Sequence, residues 1–178
     1  MQAMSIHQIQ VRYDPAQDRL LLQVLTQDRQ LLPMWLTRRL AMRLMPHLRR
    51  TTAAAAVAGA SPRATVLPDA QQMLAQASRE KALKSADLQT PFDAGEARRP
   101  LGDEPMLPVS IDLSTPAGGG LAMTFRSEAG QSVEIKLGRD HALVMVELIE
   151  SALSKSEWGI AADTAPTGPP AAGPTLLN

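Results

Sequence analysis

The chain has 178 residues, enough for one ordinary domain or two very small ones, and its 18 basic and 18 acidic side chains balance, so net charge demands neither nucleic acid nor membrane. It contains no cysteine, which excludes disulfides, zinc–thiolate sites and thiol nucleophiles. The opening MQAMSIHQIQVRYD lacks a basic segment followed by an apolar run, and no stretch approaches the roughly 18 apolar residues of a membrane span, so a cytoplasmic protein is expected.

Residues 5–50 carry the first patterned block. Ile9, Val11 and Tyr13 alternate as in a strand with one buried face, and DPAQD, with Pro15 at the second turn position, closes a hairpin onto a strand containing Leu21 and Leu25. Leu32, Met34 and Leu36 mark a third strand; Pro33 within it predicts a sheet edge or a bulge. Thr37 is a predicted N-cap, after which Ala41, Leu44 and Leu48 recur at helical spacing, with Pro46 expected to break the helix before Arg49.

The run TTAAAAVAGASPRAT, residues 51–65, offers too little apolar surface to offset ordering and is expected to be a mobile linker. Pro68 and Asp69 then open a middle helix with Met73, Leu74, Ala77 and Leu83 on one side, followed by a loop at 93–105. A second patterned block covers 106–158: Val109, Ile111 and Leu113, the turn STPAGGG, Leu121 and Phe125, then Val133, Ile135 and Leu137, and a helix after Gly138 bearing Ala142, Met145 and Ile149. Residues 159–178, rich in Pro, Ala and Gly, read as a disordered tail.

The two blocks superpose as an internal repeat. An offset of 100 places Ile9, Val11 and Tyr13 on Val109, Ile111 and Leu113, and Leu21 and Leu25 on Leu121 and Phe125. An extra residue in EAGQ against DRQ raises it to 101, matching Leu32, Met34, Leu36, Ala41, Leu44 and Leu48 with Val133, Ile135, Leu137, Ala142, Met145 and Ile149. The expected fold is α+β: antiparallel sheet from two strand-strand-strand-helix repeats, helices packed on one face, plus a middle helix. A single domain spans 5–158, with repeat 1 at 5–50, linker and middle helix at 51–105, and repeat 2 at 106–158.

Function rests on charge placement. On a helical wheel Arg38, Arg39, Arg43, Arg49 and Arg50 share the face opposite the apolar arc, whereas the matching face of the second helix carries Arg139, Asp140, Glu147, Glu150 and Lys155. Residues 1–51 hold eight arginines against three aspartates, and residues 106–158 four basic against seven acidic side chains, so the halves are +5 and −3. The five arginines are the candidate surface for a protein partner or a second copy; nucleic acid is the less favoured ligand, because only five aromatics are available for base stacking.

His7, His47 and His141 lie in three different elements, His7 and His141 on faces read as buried. AGGG at 117–120 lacks the Lys and helix of a phosphate loop and reads as a hairpin turn. No catalytic, cofactor-binding or metal-binding constellation emerges, so the expectation is a non-enzymatic interaction or assembly module that self-associates.

RLLLQV followed by LPMWLTRRLAMRL resembles the opening of a family of short bacterial proteins that share an R-L-L-L strand and a W-L-T-R-R-L junction. The resemblance covers roughly the first 45 residues and implies no established activity. Paired strand-strand-strand-helix repeats are also similar in architecture to PUR and whirly nucleic-acid-binding modules, which carry a fourth strand per repeat.

Overall fold

A computed structural model describes residues 5–57, 67–116 and 120–159. Residues 160–178 of the tail expected at 159–178, residues 58–65 of the Ala-rich run at 51–65, and residues 117–119 of the glycine turn lie outside the described residues. The elements run β1 (Ile6–Asp14), β2 (Arg19–Thr26), β3 (Leu31–Thr37), α1 (Arg38–Val57), α2 (Pro68–Ser85), β4 (Pro108–Ser114), β5 (Leu121–Ser127), β6 (Ser132–Leu137) and α3 (Arg139–Ser154). The strands form two antiparallel three-stranded sheets, ordered β1-β2-β3 and β4-β5-β6, so the α+β architecture of paired repeats stands.

One core joins the repeats, and it is built from matched positions. Leu20, Leu22 and Val24 of β2 and Leu32, Met34 and Leu36 of β3 are buried with Leu121, Met123 and Phe125 of β5 and Val133, Ile135 and Leu137 of β6. Ala41, Leu44, Met45 and Leu48 of α1 join Ala142, Met145, Val146 and Ile149 of α3 in the same cluster. Every one of these pairs differs by 101.

The offset of 100 expected for the first two strands is therefore corrected. In both copies the second turn has the same length and chemistry: the Thr26 hydroxyl accepts from Gln30 N–H, and the Ser127 hydroxyl accepts from Gln131 N–H, each at 3.1 Å. Arg29 and Gly130 take the same left-handed position, at φ 56° and 83°. The change of offset falls in the first hairpin instead. Ile9 opposes Val24 as Ile111 opposes Phe125, so β1 and β4 match at 102. Val109, expected in the core, is the bulge residue of β4 and 47% exposed; His7 occupies the same bulge in β1.

Leu21 and Leu25 are buried, but on the opposite face from Leu20, Leu22 and Val24, as alternation along a strand requires. A strap at 91–106 runs from β1 of this sheet to the outer edge of β3. Gln8 of β1 bonds to Pro91 and Asp93, the Arg29 guanidinium donates to Ala94 O, and Leu31 N–H donates to Arg98 O at 2.8 Å. Trp35 N–H donates to Met106 O at 2.8 Å, and Met106 N–H to Pro33 O at 2.9 Å. Pro33 sits at the sheet edge as expected, in an unbroken strand, because the N–H it lacks would point outward rather than toward β2.

Thr37 caps α1 as predicted, its hydroxyl accepting from Leu40 N–H at 3.3 Å. The helix does not stop at Pro46 or at residue 50. Pro46 and Met42, whose carbonyl would have taken the missing N–H, both lie on the exposed side, and the alanines that follow are the strongest helix formers. Thr52 and Ala55, assigned to a mobile linker from sequence, are buried. The middle helix α2 is docked, with Ala82 against Leu143 and Val144 of α3. Its expected apolar side is rotated: Met73 is 72% exposed and Ala77 is exposed, while Leu74, Ser78, Arg79 and Ala82 turn inward.

The helices are exchanged between repeats: α3 packs against β1 as well as β6, and α1 against β4 as well as β3.

Candidate interaction surface

The five arginines expected to form one binding face have separate fates. Arg49 is half-buried and donates through Nε to Glu150 Oε1 at 2.7 Å. Glu150 also accepts from Arg79 of α2 at 2.5 Å, and Arg79 reaches Glu147 as well, so Glu150 ties all three helices together. Burial pushes the Arg79 guanidinium down, but hydrogen bonding to Glu147 and the charge of Glu150 outweigh it and leave its pKa raised. The basic and acidic halves thus meet inside one chain.

Arg38 donates to Trp158 O at 3.1 Å. This contact belongs to a cluster joining the first hairpin to the end of α3: Trp158 Nε1–H and Tyr13 O–H both donate to Asp18 Oδ1, at 2.6 and 2.8 Å, and the two rings meet edge to face at 5.8 Å. The bond from Trp158, then that from Tyr13, holds the Asp18 carboxyl below its ordinary range; the same bond to Asp18 raises the Tyr13 hydroxyl. Asp18 takes φ 48°, a left-handed position that aspartate tolerates better than most residues. Asp18 and Trp158 stand 140 residues apart, and the cluster left no signal in the spacing.

Arg39 and Arg43 are exposed and have no hydrogen bond or ion pair among the described residues, and Arg50 lies 3.1 Å from His47 on its own helix. Because α1 continues through Pro46, these three share one uninterrupted helix. His7 and His141, expected on buried faces, are exposed, as is His47. Among the described residues no group of three or more His, Cys, Asp or Glu is placed to hold a metal, and no helix is long and apolar enough to cross a membrane. An open cleft lies between Trp35, Arg19 and Asp103–Leu107.

The strand edges complete the surface. The outer edge of β3 is taken by Arg98 and Met106. β1 and β4 each begin with a bulge and lie against the other repeat's helix. β6 differs: it is regular from end to end, alternates exposed Ser132, Glu134 and Lys136 with buried Val133, Ile135 and Leu137, and has no partner on its outer side among the described residues. Sequence reading found this strand but not its exposed edge, although the period-two pattern with opposite charges two residues apart was visible in SVEIKL.

Comparisons of the chain with known protein families, curated proteins and solved structures return no match.

Proposed function

We propose that the chain is a non-enzymatic protein-interaction or assembly module that associates with further copies of itself. The observation that supports this most directly is the outer edge of β6, a strand without a bulge whose outward backbone groups have no partner among the described residues. Such an edge is a template for another strand unless a bulge, a proline or a covering segment blocks it, and the other three edges carry a bulge or a cover. Sedimentation across a wide concentration range tests the reading: a mass above that of one chain, rising with concentration, is expected. A single-chain mass at every concentration refutes it.

A second reading is favoured by the continuity of α1. Arg39, Arg43 and Arg50 form an exposed basic stripe that would suit a phosphate backbone. Under it, the protein retards single-stranded RNA or DNA below about micromolar concentration at physiological salt, and changing Arg39 and Arg43 to Gln abolishes the shift and flattens its salt dependence. Arg38 and Arg49, used within the chain, contribute little to this surface.

A further inference from the structure

We propose that two copies pair through β6, antiparallel across a twofold axis at Ile135, joining their three-stranded sheets into one of six strands. The proposal rests on the self-association reading and adds the partner surface and its register.

Backbone parity selects the register. Ser127 N–H donates to Gln131 O, so Val133, Ile135 and Leu137 direct their backbone groups toward β5, and Ser132, Glu134 and Lys136 direct theirs outward. An antiparallel partner must therefore oppose even-numbered residues with even-numbered ones. Three twofold registers keep the strand centred: one puts Glu134 opposite Glu134, one puts Lys136 opposite Lys136, and the third, about Ile135, puts each Glu134 opposite a Lys136. Like charges directly opposed are destabilising and opposite charges stabilising, so the third register wins. In a single strand these two side chains already lie 3.2 Å apart, on the exposed face.

The first repeat supplies the precedent. Under the offset of 101, Pro33 and Trp35 stand where Glu134 and Lys136 stand, and those two residues do bond an added segment, Met106, along the β3 edge. The positions are thus built to accept another backbone, and in the second repeat a second copy fills them. The contact is isologous and closes at two copies.

The experiment uses the full chain with Glu134→Lys, Lys136→Glu, and the double exchange of both. All the altered side chains are exposed, so circular dichroism should match wild type, and melting should match at concentrations low enough for wild type to be a single chain. Each single variant should weaken dimerisation about tenfold, because both symmetry-related pairs become repulsive, and the double exchange should restore it. Mixing the two single variants should give a heterodimer, since the paired lysines of one copy then meet the paired glutamates of the other. Glu134→Pro is the second arm: proline is already accommodated at the equivalent position 33, so the fold should persist while the dimer is lost. If wild type dimerises but the single variants dimerise equally well and the mixture shows no preference, the register is overturned and the self-association reading stands. If wild type is a single chain throughout, both fall together.

Discussion

Replacing Glu150 by Ala should cost more than any other change on the charged helix faces. The carboxylate is 14% exposed and accepts from two guanidinium groups, Arg49 at 30% and Arg79 at 42% exposure. A charge-assisted hydrogen bond contributes about 1.5–3 kcal/mol when well buried and an exposed ion pair about 0–1. Partial exposure places each of these near 1 kcal/mol, so Glu150→Ala should lose about 2 kcal/mol and lower the melting temperature by about 4–8 °C. Glu147→Ala, which among the described residues pairs with Arg79 alone and is 33% exposed, should lose less than about 1 kcal/mol. Urea unfolding at fixed protein concentration, in double-mutant cycles with Arg49→Ala and Arg79→Ala, measures each coupling directly. Both should be near 1 kcal/mol, and both should shrink at high salt. The reasoning fails if Glu150→Ala is no more damaging than Glu147→Ala, or if neither coupling exceeds about 0.3 kcal/mol.

Asp18 has a folded-state pKa below its ordinary value of 3.8, so its contribution is complete above that value and is lost as pH falls through the lowered one. Melting temperature followed from pH 5 downward should therefore drop more steeply for wild type than for Asp18→Asn. Gly120→Ala should destabilise severely, since at φ +90° a Cβ there would collide with Leu137 O, whereas Gly130→Asn should be mild because nothing lies within 4 Å and Arg29 takes the same backbone position in the first repeat; thermal melts of the two variants decide. Leu44→Asp and Met145→Asp should each abolish cooperative unfolding by burying an unpaired charge, while the exposed Arg43→Asp should fold normally by circular dichroism.

The repeat and the fold class were legible in the sequence because the third strand and the helix keep one apolar face each: Leu32, Met34 and Leu36 leave no doubt of parity beside Val133, Ile135 and Leu137. The second strand misled for a physical reason. RLLLQVLT is apolar and buried on both faces, so Leu21 and Leu25 fit a buried series as well as Leu20, Leu22 and Val24 do. The docking side of α2 was hidden because it is built from a small residue, Ala82, and a charged one, Arg79, which apolar periodicity does not detect. Of the five arginines, sequence showed that they share a face; it could not show that Arg49 meets an acid 101 residues away and Arg38 a carbonyl 120 residues away.

The exchange of helices between repeats sets the order in which the molecule can assemble. β1 receives much of its cover from α3, so a nascent first half lacks the surface that would bury Ile9 and Val11. Synthesis at about 5–20 residues per second leaves that half waiting roughly 5–20 seconds for the helix beginning at Arg139. During that interval the apolar strands of the first repeat are open to chaperones and to one another. A circular permutant that makes α3 before β1 would shorten that wait for Ile9 and Val11 and leave β4 to wait for α1 instead.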